Sequence, residues 1–263
     1  MAEEPNSSDW YRMLTEGEPI DRHIYHLFGM LPSNPRCKMC AAPFGSWGGR
    51  LMRLMGREQS QYNPRYCAKC NVFEHPGGAE VALTMLFADV RGSTALAERM
   101  SASEFSKLMG RFYTVASEVL IESDGLVDRL IGDQVIGLYL PGFAGAEHAR
   151  RGIEAARRLL HVTGHDSSRR PWVPIGIGVH TGPAFVGVVS GGPGTLQDFT
   201  ALGDNVNVTS RLAAAAGAGE ILVSDAAYRL SGLELGDTES RPLELKGRSE
   251  PVTVHVVKTW ASE

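Results

Sequence analysis

Residues 83–94 read LTMLFADVRGST. An apolar run of the kind that forms a buried strand ends in a carboxylate, Asp89, and a glycine and two hydroxyl residues follow. A charge at the mouth of a core strand is costly unless something compensates it. Residues 127–135, VDRLIGDQV, place a second acid, Asp133, beside Gly132 between two apolar runs, which is a hairpin signal. If that hairpin pairs beside the first strand, Asp89 and Asp133 meet at one sheet edge. Like charges that close need a cation, and Mg2+ or Mn2+ suits carboxylate oxygens. Taken singly, each acid has a plainer role, Asp89 as a helix cap and Asp133 as a turn former.

From about residue 80 to 258, strands alternate with helices through short glycine-rich connections. Ser101 and Glu104 form a capping box, and Phe105, Leu108, Met109, Phe112, Val115, Val119 and Leu120 recur at helical spacing up to Asp124-Gly125. A helix is expected over about 145–162, then IGIGVHTG and AFVGVV as a second hairpin, then a helix opening at Asp204. ILVSDAAYRL, PLELKG and PVTVHVV are expected to supply the last strands. This pattern predicts an α+β or α/β sandwich, with helices covering one face of a mostly antiparallel sheet.

Two smaller groups add chemistry. Gly92, Ser93 and Thr94 offer backbone amides and hydroxyls where a strand turns into a helix, a place that suits phosphate. Asn207 and Arg211, in DNVNVTSRL, are four apart and share a helix face. An amide and a guanidinium so placed can hold a ribose oxygen and a phosphoryl group, although a plain solvated face reads the same way.

All four cysteines precede residue 71, as Cys37-Lys38-Met39-Cys40 and Cys67-Ala68-Lys69-Cys70. Two such knuckles can supply four thiolates to one tetrahedral ion, and structural Zn2+ is the expectation. The spacing between the pairs exceeds that of usual ribbons, so iron, as a rubredoxin-like site or a cluster, and four unligated thiols are the alternatives. Between the pairs, GGRLMRLMGR predicts a short helix packed on its own knuckles. Gly77 and Gly78 are expected to close this segment. The domains are therefore 1–79, a cysteine-bearing N-terminal module, 80–258, a larger domain of alternating strands and helices, and 259–263, a tail.

The chain has 263 residues, 43% hydrophobic and 21% charged, with a formal net charge of −4. That composition suits one globular domain with an accessory segment. No apolar run approaches the roughly 18 residues that cross a bilayer, and the first residues are acidic and polar where a signal peptide is basic and then apolar. A cytoplasmic protein with no membrane and no nucleic-acid partner is expected.

In order, FADVRGST, VDRLIGDQV, GVHTGPAFVG, FTALGDNVNVTSRL and LELKGRSEPV make residues 80–258 resemble the catalytic domain of class III adenylate and guanylate cyclases. The resemblance implies a ferredoxin-like βαββαβ core and a head-to-tail homodimer with shared active sites. It implies that Asp89, Asp133 and the Val90 carbonyl bind two Mg2+ or Mn2+ ions. Asn207 is similar to the family's ribose-orienting asparagine, Arg211 to its arginine at the α-phosphoryl, and Lys246 to its lysine on the terminal phosphates. His180, also in the motif, reads as structural.

Arg129 stands where adenylate cyclases usually carry a base-reading lysine, and Thr200 where many carry Asp. Guanylate cyclases typically carry Glu and Cys there. ATP is the expected substrate, with GTP or a pyrimidine triphosphate as alternatives, because Arg129 only donates hydrogen bonds. The activity implied is a phosphorus-oxygen lyase that makes a 3′,5′-cyclic monophosphate and pyrophosphate. The rival reading is a silent cyclase-like domain that binds nucleotide or dimerises while the cysteine module makes the functional contact.

Overall fold

In the computed structural model, which describes residues 7–16, 19–31, 35–60, 66–70, 77–166, 170–190, 197–234, 238–244 and 251–257, the quoted stretch lies in the centre of one sheet. Three helices come first: α1 (Ser7–Thr15), α2 (Pro19–Gly29) and α3 (Ser46–Leu54). Then follow β1 (Gly77–Val90), α4 (Ser93–Arg99), α5 (Ala102–Glu122), β2 (Leu126–Ile131), β3 (Gln134–Tyr139), α6 (Pro141–Ala144) and α7 (His148–Thr163). The chain continues through β4 (Ile175–Ser190), β5 (Gln197–Leu202), α8 (Asp204–Ala215), β6 (Ile221–Ser224), α9 (Asp225–Ser231), β7 (Glu239–Leu243) and β8 (Val252–Val257).

The sheet runs β2-β3-β1-β4-β6-β8-β7, with β5 paired to β4. Every pairing is antiparallel except β4 with β6. The portion β2-β3-β1-β4, crossed by α5 and α7, is the expected βαββαβ core. The Ser101–Glu104 capping box is present and opens α5 one residue later.

β1 is apolar on both faces because both are covered. Leu86, Ala88 and Val90 pack in one cluster with Phe112, Leu120, Ile153 and Leu159 from α5 and α7. Val81, Leu83, Met85 and Phe87 pack in another with Leu14, Tyr25, Phe28 and the four cysteines. The N-terminal segment therefore shares a hydrophobic core with the sheet. α8 joins it on that face, where Thr209 Oγ1 lies 3.9 Å from Met85 Sδ.

Three details differ from the sequence expectations. Gly77 and Gly78 do not close the first segment; they are the first residues of β1 and pair with Val188 and Gly187. IGIGVHTG and AFVGVV are not a hairpin but one strand, β4, which pairs with β1 from Ile175 to Val188. Pro183 is tolerated there because it falls after the β6 pairing ends at Val179 and before the β5 pairing begins at Phe185. One edge of β4 has no strand neighbour at that point, so the missing N–H costs no ladder bond on that edge. Finally, only ILVS of ILVSDAAYRL is a strand, since the Ser224 hydroxyl accepts from the Ala227 N–H and starts α9.

Candidate active site

β1 ends at Val90, and its N–H donates to the Asp133 carbonyl at 3.0 Å. That bond places the β2–β3 turn beside the end of β1, with Asp89 opposite Gln134 in the register. The two acids of the sequence thus come together as expected. Asp89 is paired to Arg91, and Asp133 accepts from the Ser93 hydroxyl. Burial lifts the Asp89 carboxyl above its ordinary range; Arg91 opposes this and the Asp133 charge adds to it. Gly92 adopts a left-handed conformation, φ 68°, as N-cap of α4, a conformation that glycine takes without strain. Ser93 is half-buried and Thr94 exposed.

Asn207 and Arg211 lie on α8, whose buried stripe is Val208, Thr209, Leu212 and Ala213. The helix rests directly on β4 at Gly178, where a methyl group would sit 2.7 Å from the Thr209 carbonyl oxygen. Asn207 is exposed and Arg211 half-buried. Among the described residues, neither side chain is engaged by a hydrogen bond or ion pair. His180 is buried between the Ser224 hydroxyl and the Asn205 side-chain oxygen, each at 2.8 Å, which agrees with a structural role. Lys246 lies outside the described residues.

Arg129 on β2 and Thr200 on β5 also meet, with Arg129 Nη2 donating to Thr200 Oγ1 at 3.2 Å. Thr200 is 1% exposed, and its own hydroxyl donates to Asp128 Oδ2 at 3.1 Å. Around this pair lie residues that the sequence did not single out. Lys38 Nζ reaches Asp128 Oδ1 at 3.1 Å and Asp198 Oδ1 at 3.0 Å, and donates to the Phe199 carbonyl. The Tyr66 hydroxyl accepts the Phe199 N–H at 2.9 Å, and Trp10 stacks on the Phe199 ring. A lysine inside a cysteine knuckle carries no local mark of such a partner.

The four cysteines are buried together, their sulfurs within 4.8 Å of one another. Cys40 Sγ and Cys67 Sγ are 3.8 Å apart. A tetrahedral ion with sulfur ligands at about 2.3 Å has sulfur–sulfur edges of about 3.8 Å, so the donor set and the spacing fit zinc or iron. Hydrogen bonds from neighbouring thiols hold Cys67 and Cys37 below the ordinary thiol range, and Cys40 and Cys70 are pushed above it. Arg57 Nη1 lies 3.9 Å from both Cys67 Sγ and Cys70 Sγ, a cation suited to a thiolate cluster. The helix expected between the knuckles is α3, which buries Met52 and leaves Leu54 exposed.

Residues 79–259 match the family described as the adenylate and guanylate cyclase catalytic domain. The chain belongs to that family. It is 26% identical over 190 residues to an adenylate cyclase of Anabaena cylindrica, covering 67% of this chain and 36% of the relative. It is 30% identical over 152 residues to guanylate cyclase 32E of Drosophila melanogaster, covering 56% of this chain and 13% of the relative. The chain thus spans well under half the length of these relatives. Among solved structures, the adenylyl cyclase CyaB of P. aeruginosa superposes with a TM-score of 0.59 at 28% identity, over 69% of this chain and 96% of that one. The guanylyl cyclase Cya2 superposes at 0.61 and 24% identity, over 69% and 93%, a likeness of fold. No helix among the described residues is long and apolar enough to cross a membrane.

Proposed function

We propose that the chain is a nucleotide cyclase that converts a nucleoside triphosphate, ATP first, to a 3′,5′-cyclic monophosphate and pyrophosphate. The observation that carries this is the meeting of Asp89 and Asp133 at the end of β1, on a chain that also bears Asn207 and Arg211 on α8, neither engaged among the described residues. Two carboxylates and the Val90 carbonyl form an oxygen donor set that suits Mg2+ or Mn2+. When bound, two such ions acidify the ribose 3′-hydroxyl and neutralise the triphosphate.

The residues of the chain do the positioning. Asn207 orients the ribose so that its 3′-oxygen lies in line with the α-phosphorus and the departing pyrophosphate. Arg211 donates to the α-phosphoryl oxygens as charge builds there. Gly92, Ser93, Thr94 and Lys246 hold the remaining phosphates. Arg129, supported by Thr200, reads the base. Asn207 is exposed, Arg211 is half-buried, and neither is engaged among the described residues, which supports a head-to-tail homodimer in which each site takes its aspartates from one protomer and Asn207 with Arg211 from the other. The cysteine module holds one Zn2+.

Purified protein incubated with each of the four ribonucleoside triphosphates and Mn2+ or Mg2+ tests the reading by mass spectrometry. Cyclic AMP and pyrophosphate are expected, with less product from GTP, UTP and CTP. No cyclic product from any of them would leave the silent, nucleotide-binding alternative.

A further inference from the structure

We propose that Lys38 is a positioning residue for base recognition, and that through it the cysteine module sets which base the enzyme prefers. This rests on the reading of Arg129 as the base-contacting group.

The Lys38 ammonium has three N–H donors and three acceptors: Asp128 Oδ1, Asp198 Oδ1 and the Phe199 carbonyl. Its side chain is 6% exposed and that of Asp128 is 5% exposed. A buried ammonium is tolerated only with such compensation, and the same holds for the buried carboxylate of Asp128. The other oxygen of Asp128 accepts from Thr200, and Thr200 accepts from Arg129. Lys38, Asp128, Thr200 and Arg129 form one continuous chain of hydrogen bonds.

Without Lys38, Asp128 becomes a buried carboxylate with, among the described residues, one cation near, Arg129, whose Nε is already 3.7 Å from Oδ2. A guanidinium beside an unpaired carboxylate turns onto it in a bidentate pair. Arg129 would then leave Thr200 and turn its donors inward. With Lys38 in place, Asp128 is already served, and the guanidinium keeps donors for a base. Among the described residues, Arg129 Nε has no hydrogen-bond partner, as expected of a guanidinium held back from full pairing with Asp128.

Both cysteine knuckles hold the strand that carries Thr200. Lys38 sits between Cys37 and Cys40 in a turn closed by the Ala41 N–H to the Cys37 carbonyl at 2.9 Å. Tyr66 precedes Cys67 and grips the Phe199 N–H. The knuckles thus hold residues 198 and 199 from two sides, one residue short of Thr200. Whatever fixes the four sulfurs fixes the base-reading pair.

The test is full-length Lys38→Met beside Arg129→Ala and Lys38→Met/Asp128→Asn. Each is measured for KM and kcat with ATP and GTP, and for equilibrium binding of the 3′-deoxy triphosphates by calorimetry. Lys38→Met is expected to raise KM for the preferred nucleotide about tenfold with kcat within about threefold, and to erode base preference. Asp128→Asn in the same chain is expected to recover most of that loss, because the carboxylate that captures Arg129 is gone. Should Lys38→Met fold poorly, Lys38→Gln, which keeps a donor for the Phe199 carbonyl, takes its place, with the same loss of base preference expected and wild-type preference overturning the role of Lys38. If Arg129→Ala leaves base preference intact, the reading of Arg129 fails. If Arg129→Ala changes preference while Lys38→Met does not, the role of Lys38 alone is overturned. Tighter binding of every nucleotide by Lys38→Met would make the module a cover over the pocket, and would also overturn it.

Discussion

The Val90 N–H and the Asp133 carbonyl are joined at 3.0 Å, and this backbone bond brings the turn that carries Asp133 against the end of the strand that carries Asp89. Asp89 stands one residue before the donor, and Asp133 is itself the acceptor. The Asp133 charge opposes ionisation of the Asp89 carboxyl. In the chain alone, Arg91 and Ser93 relieve it.

Asp89→Ala or Asp133→Ala should lower kcat/KM by at least about 10³-fold. Thermal unfolding without divalent ions should change by only a few degrees, since each substitution removes one of two like charges. A variant that keeps more than a tenth of wild-type turnover would show that the acids do not hold the ions.

Mixing Asp89→Ala with Arg211→Ala should restore activity that neither has alone. With random pairing, half the dimers are mixed and each carries one intact site, so recovery approaches about a quarter of wild type. Its absence, with mixed dimers verified by native mass spectrometry, would place both halves of the site in one chain.

The cysteine cluster should hold about one metal ion per chain, and Co2+ substitution should give the visible absorption of a tetrahedral thiolate site. Cys37→Ser or chelation should lower Tm by at least about 5 °C in one transition, because the knuckles and the sheet share a core. Two separate transitions would mean that the module unfolds independently.

Acid should destabilise the fold through His148 and His165. Burial lowers both pKa values below the ordinary 6.5. Their neutral forms contribute stability that is complete above about pH 6.5 and is lost as pH falls through the depressed values. His165 Nε2 accepts the Ile175 N–H at 3.2 Å, which a protonated ring cannot do. His165→Gln should therefore weaken the fold at pH 8 and flatten its loss of stability between pH 6.5 and 5 in urea unfolding.

Lys38 buried among Asp128 and Asp198 makes a stability expectation separate from base choice. Lys38→Ala should cost about 3 kcal/mol, because it strands the buried carboxylate of Asp128. Lys69, exposed in the second knuckle, should cost under about 0.5 kcal/mol when changed to Ala. Urea midpoints would check both.

Local patterns in the sequence determined much of the protein. The strand ending at Asp89, the Gly132-Asp133 turn, the Ser101 box and the two CxxC pairs each act over a few residues, so spacing and residue type suffice to read them. The same holds for Asn207 and Arg211, whose separation of four places them on one helix face. Tertiary structure decided what lies far apart in the chain. β4 is one strand because β1 pairs with it from Ile175 to Val188, which overrides the turn signal of Gly182-Pro183. The placement of Lys38 against Asp128 and Asp198, 90 and 160 residues away, leaves no trace in the neighbouring sequence. A buried charge is chosen by partners that only the folded chain assembles, and so the link between the cysteine knuckles and Arg129 became visible only in three dimensions.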